Sequence, residues 1–184
     1  MRQLNALLFL LVVCFATAMQ AQTPASKPAP ELTKVDVFWT GRWTYEGEYK
    51  AGPLGPGGKI TGELKGETIL GGFFFQFRWT EKGATGETHG LEIDKYDPLR
   101  QNYATSEYHD DGSTAAGAYT FNGNTCIYTG EFVVEGKQYR AKNTMVFAAD
   151  LMSYTSRGEI SADGKTWVPW WEERYTRDKP GPKR

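Results

Sequence analysis

Two glutamates have the residue type and the setting that proton-transfer chemistry needs. Glu107 shares its alternation with Tyr103, and Glu173 shares its alternation with Trp171, so each lies on a face that carries aromatic side chains. A carboxylate in an apolar interior has a raised pKa and could act as a general acid or base. The alternative, which we favour, is that each lies in water at the end of the fold or pairs with an arginine. The candidate arginines are Arg140, Arg157 and Arg174.

The two histidines are the next candidates. His89 shares the alternation of Leu91 and Ile93, which predicts an inward imidazole able to ligate a metal or move a proton. The alternative, a histidine near a strand end bonded to backbone or water, is the one we favour. His109 lies in the sequence Tyr-His-Asp-Asp-Gly, which is typical of a turn. Because no H-x-x-x-H or C-x-x-C spacing accompanies them, we predict no metal site.

No nucleophile with a recognisable activator is present in the sequence. The serines lie outside any G-x-S-x-G segment. Cys126 begins a predicted strand, which favours a core position over a catalytic one. Residues 52–59 are glycine-rich but lack the phosphate-loop pattern, because Pro53 replaces its first glycine and Ile60 its Ser/Thr. We therefore assign no catalytic residue and favour a protein that is not an enzyme.

The elements that must position these residues are β-strands. From Gly41 onward, polar and aromatic residues alternate, with Trp43, Tyr45 and Tyr49 on one face of the first strand. Asn-Gly, Asp-Gly and Glu-Gly pairs, which favour tight hairpins, separate the later strands. A long meander hides its edges best by closing. The sequence predicts an all-β, antiparallel up-and-down barrel of about ten strands, at 41–50, 60–68, 73–80, 87–96, 101–108, 114–122, 125–134, 137–148, 151–161 and 166–177.

The predicted interior of this barrel is rich in aromatic side chains. A ten-stranded barrel is wide enough that its side chains need not fill it, so a cavity and a packed interior are both open. Tyrosine and tryptophan combine apolar area with one directed hydrogen bond, which suits the wall of a ligand site. The candidate ligand-binding residues are Tyr45, Phe75, Phe77, His89, Tyr103, Glu107, Tyr128, Tyr154, Trp171 and Glu173.

The N-terminal segment has the pattern of a secretory signal. Arg2 precedes the apolar run 7–13, and small residues ending at Ala21 offer a cleavage site, so residues 1–21 are a predicted signal peptide. The Pro-rich residues 22–30 are a predicted tether, 31–178 the barrel domain, and 179–184 a tail. Leu32, Val35 and Trp39 share a helical face, which predicts a short helix that docks on the barrel. We expect a periplasmic or secreted protein without a membrane span.

Charge and cysteine content exclude several classes of partner and fold. The whole chain has a formal net charge of −1, so it has no basic excess for nucleic acid. Only Cys126 follows the predicted cleavage site, so we expect no internal disulfide. We expect a monomer or homodimer that takes a small apolar or aromatic ligand and carries no cofactor.

Several sequence blocks resemble a known family. Gly41-Arg42-Trp43 resembles the G-x-W opening of calycin barrels, which include the lipocalins. The blocks at 30–32, 67–74, 90–98 and 172–177 together resemble the bacterial domain of unknown function 1579, over residues 30–178. The resemblance implies a calycin-like barrel, often exported, and no settled activity. Nitrobindin-like barrels share the G-x-W strand and take their iron ligand from a late histidine, whereas no histidine follows His109 here.

The calycin resemblance also implies a structural Trp–Arg pair. In a closed barrel the first and last strands are antiparallel neighbours, so Trp43 and Arg177 should meet at the closed end on the inward face. A guanidinium over an indole face contributes about 0.5–2 kcal/mol. We assign this pair to stability.

Three functions remain from the sequence. The first is an exported protein that binds a small, partly apolar ligand inside the barrel. The second is a barrel enzyme that uses Glu173 or His89 as a proton carrier. The third is a structural or interaction protein with a filled barrel. Convergence of His89 and Glu173 would favour the enzyme, and a packed interior near Trp171 would favour the filled barrel.

Overall fold

The structure is a computed structural model that describes residues 27–178. One helix, α1 (Leu32–Trp39), precedes ten strands, and a short 3-10 turn (Leu70–Gly72) joins the second to the third. The predicted signal peptide, most of the tether and the tail lie outside the described residues. The strands are β1 (Gly41–Tyr49), β2 (Gly58–Ile69), β3 (Phe74–Gly83), β4 (Gly86–Asp97), β5 (Asn102–His109), β6 (Thr114–Asn122), β7 (Thr125–Val134), β8 (Lys137–Phe147), β9 (Ser153–Ser161) and β10 (Val168–Arg177).

The strands form one closed antiparallel barrel. Each strand pairs with the next along the chain, and β1 closes the ring by pairing with β10, with Trp43 opposite Arg177 and Tyr49 opposite Trp171. Closure leaves neither strand as a free edge. The predicted fold, strand number and strand order are confirmed.

Local sequence explains how the chain turns between strands. Glu135 and Gly136, between β7 and β8, both adopt positive φ, at 50° and 75°. Two successive positive φ angles are the requirement of the type I′ hairpin turn, whose twist matches the flanking strands. Leucine, valine and other branched residues are disfavoured there, and glycine adopts the angle without strain.

Helix α1 closes one end of the barrel. Leu32, Val35 and Trp39 are buried, and the Trp39 ring packs edge-on against Phe77 and Tyr119 at centroid distances of 5.4 and 5.3 Å. An eight-residue helix is marginal in isolation, so this docking stabilises it.

The Trp43–Arg177 pair fastens the helix to the barrel. Arg177 Cζ lies 4.4 Å from the Trp43 ring centroid, the arrangement predicted above. The Arg177 guanidinium donates to the carbonyl oxygens of Val37 and Phe38, in the last turn of α1. Trp43 Nε1 donates to the Trp39 carbonyl at 3.1 Å. A cation at a helix C-terminus also meets the negative end of the helix dipole. The pair therefore serves stability.

Candidate functional site

The barrel interior has two halves of different character. The half next to α1 is a packed core, in which Trp43, Phe75 and Phe147 are each 1% exposed and Tyr119 is 3% exposed. Stacked and edge-on ring pairs fill it, for example Tyr103 on Tyr119 at 4.9 Å. This half has no room for a ligand without displacing core side chains.

The other half, which we call the open half, keeps half-buried side chains on inward-facing strand positions. The register places these residues inside, yet each stays partly accessible. Glu107 illustrates this, since its side chain faces inward and is 19% exposed. Its other half-buried members are Tyr49, Trp79, Glu81, Glu92, His109, Tyr128, Asn143, Trp171, Glu173 and Tyr175.

Two carboxylates lie on the β1, β3 and β10 side of the open half. Glu81 Oε2 accepts hydrogen bonds from the hydroxyls of Tyr45, at 3.1 Å, and Tyr49, at 3.5 Å. Glu173 Oε2 accepts from the Tyr175 hydroxyl at 2.9 Å. The Tyr45 and Tyr175 rings stack at 4.6 Å, which joins the two groups. Neither carboxylate has a lysine or arginine partner within 4 Å among the described residues.

Three further carboxyl groups lie across the interior on β4 and β5. Asp94 Oδ2 accepts from the Tyr119 hydroxyl at 2.7 Å, at the border with the packed core. Glu107 Oε1 accepts from the Tyr128 hydroxyl at 3.2 Å, and its Oε2 lies 3.9 Å from His109 Nε2. Glu92 lies between them, on the same face as Asp94 and directly opposite Glu107.

Burial raises the pKa of every one of these carboxyl groups. It raises the pKa of Glu173 to about 7, to which the charge of Glu81 adds, although the Tyr175 hydrogen bond opposes the shift. Burial also raises the pKa of Asp94 to about 7. The pKa of Glu92 lies well above its usual range because of burial and the charges of Asp94 and Glu107. The open half is therefore a site where carboxyl groups change charge near neutral pH.

A chain of hydrogen bonds fixes Trp171 on the wall. Trp171 Nε1 donates to Ser156 Oγ at 2.9 Å, and Ser156 Oγ donates to Asn143 Oδ1 at 3.1 Å. Ser156 is 2% exposed, so the chain is held in place by its surroundings. The indole thus has a fixed orientation.

Inward-facing glycines allow four aromatic rings to lie flat on the barrel wall. Gly158 stands directly opposite Trp171, and a methyl group added there would overlap three atoms of the indole at equal distance. A Cβ atom on an inward position points along the barrel radius. Equal distances from it to three ring atoms therefore mean that the face of the indole covers the glycine. Gly90 bears the same relation to Trp79. Tyr45 covers Gly62, and Tyr128 covers Gly117 and Gly130.

Trp170 lies across the mouth. It stacks on Phe132 at 5.5 Å and packs against Tyr49 at 5.5 Å, at a register shift between Pro169 and Trp171. Beside it, Tyr49, Glu81 and the loop 54–58 enclose a pocket of about 180 Å³. The pocket opens to solvent beside the mouth.

The structure separates the predicted ligand-binding residues into three groups. Tyr45, Glu107, Tyr128, Trp171 and Glu173 lie together in the open half. Phe75, Phe77, Tyr103 and Tyr154 face inward but belong to the packed core. His89 lies outside the barrel.

His89 does not point inward, so its assignment to the ligand-binding residues is wrong, whereas the favoured alternative of a histidine outside the interior agrees with its position. His89 pairs with Thr80, and its side chain is 54% exposed, with Nδ1 3.1 Å from Thr80 Oγ1 and Nε2 3.3 Å from Glu87. Strand β4 takes its register from β3, whose aromatic residues must be inside. That register turns the acidic side of the alternation inward and leaves His89, like Leu91 and Ile93, facing outward.

The favoured location of Glu107 and Glu173 is also wrong. Both lie inside the barrel, and both are bonded to tyrosine hydroxyls and to no arginine. A tyrosine on a nearby inward position can donate a hydrogen bond to a carboxylate without carrying a charge. The sequence pattern does not show whether a carboxylate is bonded to such a tyrosine or to water. His109, predicted in a turn, is the last residue of β5 and faces inward beside Trp79.

Four functional candidates were missed by sequence reasoning. Glu81 shares the alternation of Phe77 and Trp79, a signal that could have found it. Glu92 and Asp94 share the alternation of Tyr96, a weaker signal because apolar residues occupy the other face. Trp170 faces the mouth only because the register shifts beside it, which the alternation conceals.

Residues 27–178 contain neither a metal-binding cluster nor a membrane-spanning helix. No group of three or more histidine, cysteine, aspartate or glutamate side chains in this range is arranged to hold a metal ion. None of the helices described is long and apolar enough to cross a membrane.

Two of the solved structures that match this chain illustrate the shared fold. Rv2717c from M. tuberculosis superposes with a TM-score of 0.61 at 15% identity, covering 83% of this chain and 100% of its own. The S-type phycobiliprotein lyase CPES from Guillardia theta superposes with a TM-score of 0.53 at 8% identity, covering 82% of this chain and 94% of its own. At such identities the likeness establishes the fold alone.

Sequence comparison gives the family. A search of curated proteins finds no match to this chain. The family model described as protein of unknown function (DUF1579) matches residues 38–177, which span the barrel from the end of α1 to the end of β10. The chain belongs to the DUF1579 family.

Proposed function

We propose that this protein binds a small, partly apolar molecule in the open half of its barrel. The observation that carries the proposal is the group of half-buried aromatic and polar side chains on inward positions below the mouth. Ligand sites are concave, mostly apolar and supplied with a few fixed polar groups. The rings of Trp79, Tyr128 and Trp171 provide the first property. The carboxylates of Glu107 and Glu173, each held by a tyrosine hydroxyl, provide the second.

The proposal includes export, which the N-terminal sequence supports. Arg2, the apolar run 7–13 and the small residues before position 22 have the order of a secretory signal. The binding protein would then act in the periplasm or outside the cell, as a monomer or homodimer. N-terminal sequencing of the protein from its host should begin at Gln22.

The structure favours binding over the two alternatives. The enzyme hypothesis needed His89 and Glu173 to converge, but His89 lies on the outer face. The filled-barrel hypothesis needs a packed interior beside Trp171, but Trp171 and Glu173 are only half buried. One of the superposed structures, the S-type phycobiliprotein lyase CPES, shares the barrel fold with this chain.

A titration with the neutral fluorophore N-phenyl-1-naphthylamine tests the proposal. Its emission rises in an apolar site, so we expect saturable binding to the purified protein. Ala115 is half buried and faces inward at the mouth end of β6, whereas its neighbour Ala116 is exposed. Ala115→Trp should weaken binding about 10-fold by filling the entrance, and Ala116→Trp should leave it unchanged.

Two results decide against the proposal. Equal binding by both variants would place the fluorophore outside the barrel. Absence of saturable binding, together with no retained small molecule in native mass spectra of protein from its own host, would favour the filled barrel.

A further inference from the structure

We propose that the ligand is an organic cation, an ammonium group on an apolar body, held among the carboxylates and ring faces of the open half. The inference deepens the proposed function and rests on it. Three observations carry it: the sign of the interior charges, the orientation of the rings, and two buried polar atoms that lack partners.

The first observation is that the interior charges have one sign. Among the inward-facing positions of the ten strands, lysine and arginine occur only at the two ends of the barrel. Arg177 lies at the closed end over Trp43, and Lys137 begins β8 at the mouth, where it is exposed and its Nζ lies 5.1 Å from the Tyr139 ring centroid. Between these ends, the basic side chain that faces the open half is His109, beside Glu107. The inward carboxyl groups are Glu81, Glu92, Asp94, Glu107 and Glu173. An apolar anion would meet repulsion there, whereas a cation would compensate these groups.

The second observation is that ring faces point into the space between these carboxyl groups. Trp79, Tyr128 and Trp171 lie flat over wall glycines, so their outer faces meet the wall and their inner faces meet the interior. The face of an aromatic ring carries the negative end of its quadrupole and attracts cations. Because the Trp171 indole is anchored through Ser156, that face is already in position before a ligand binds. Packed edge-on rings would not offer this surface.

The third observation is that two buried polar atoms below the carboxylates lack partners. Asp94 is fully buried, and its Oδ1 receives no N–H or hydroxyl donor from the described residues, so that its only neighbouring donor is the carboxyl of Glu92 when that group is protonated. Thr105, directly opposite on β5, is 4% exposed, and its hydroxyl makes no hydrogen bond of good geometry, although it lies close to the Tyr128 hydroxyl. Buried polar groups are nearly always hydrogen-bonded, so such a pair marks a missing partner. An ammonium group carries up to three N–H donors and no acceptor, and would satisfy both oxygens.

Calorimetry with three compounds of one shape tests the charge preference. The probes are phenethylamine, which is cationic at pH 8, 2-phenylethanol, which is neutral, and 3-phenylpropanoate, which is anionic. We expect the amine to bind at least about 10-fold more tightly than the alcohol, and the carboxylate to bind most weakly. A cation over an aromatic face beside a carboxylate supports a preference of that size.

Substitutions then locate the preference. The double variant Asp94→Asn/Glu173→Gln, which removes one ionisable carboxyl group from each side of the interior, should bring the ratio of amine to alcohol affinity close to one. The matched control is Glu172→Gln, since Glu172 neighbours Glu173 on the same strand but is exposed. The control should keep the ratio of the unmodified protein.

The outcomes distinguish this inference from the function on which it rests. An amine that binds no better than the alcohol overturns the cation inference, while binding of the neutral fluorophore would keep the proposed function. An unchanged ratio in the double variant overturns the assigned location. If none of the three probes binds, the cation inference fails, and the fluorophore titration decides the proposed function separately.

Discussion

Replacing Glu173 by glutamine should change the pH dependence of folding. Glutamine keeps the size of the side chain and can still accept the Tyr175 hydroxyl, but it does not ionise. Burial and the charge of Glu81 raise the pKa of Glu173 to about 7 from an ordinary value of 4.5. The folded protein therefore prefers the protonated carboxyl, and the unfolded chain releases its proton at lower pH.

The sign and size of the effect follow from this difference. Below pH 4.5 both states are protonated, so Glu173 costs nothing. As the pH rises from 4.5 to about 7, the unfolded state is increasingly favoured by its ionisation. Above pH 7 the full difference applies, about 3 kcal/mol at about 1.4 kcal/mol for each pKa unit. The free energy of unfolding of Glu173→Gln, minus that of the unmodified protein, should therefore grow by up to this amount from pH 4 to pH 8.

Urea unfolding followed by tryptophan fluorescence at each pH measures the difference. The control is Glu172→Gln, because the Glu172 side chain is 54% exposed and its nearest cation, Arg157 Nε, is 3.9 Å away. Surface pairs of this kind contribute little, so the control difference should stay flat. A flat difference for Glu173→Gln as well, or one that shrinks as pH rises, would refute the burial of Glu173 in a site without a cation.

Three further predictions concern the parts that build the site. Arg177→Gln should lower the free energy of unfolding by about 1–3 kcal/mol, because it removes the stack on Trp43 and two hydrogen bonds to α1. Urea unfolding measures this change, and an unchanged value would mean that α1 docks without Arg177. Gly158→Ala should displace the Trp171 ring and shift its fluorescence emission, unlike Gly52→Ala, where the added methyl group meets no atom closer than 4.0 Å, and identical spectra would contradict the flat ring. Trp170→Ala should speed association of the fluorophore in stopped-flow mixing by removing the ring from the mouth, whereas an unchanged rate would place the entrance elsewhere.

The sequence by itself determined the barrel and much of its lining. Alternation with a period of two and regular glycine turns specify strands whatever their partners, because they follow from local geometry. The aromatic residues predicted to face inward on β1, β3 and β10, such as Tyr45, Phe77 and Trp171, do so. The pairing of Trp43 with Arg177 also followed, since closure makes the first and last strands neighbours.

Only the tertiary structure decided which polar residues share the interior. On β4 one face is acidic and the other is apolar. From hydrophobicity alone the apolar face, which carries His89, is predicted to point inward, whereas in the structure the acidic face does. The register with β3 is set by hydrogen bonds between strands, and a shift of one residue exchanges the faces. The partners of Glu81, Glu107 and Glu173 are tyrosines on other strands, brought within reach by barrel closure. Contacts between residues so far apart in the chain are a property of the closed sheet, and no local pattern encodes them.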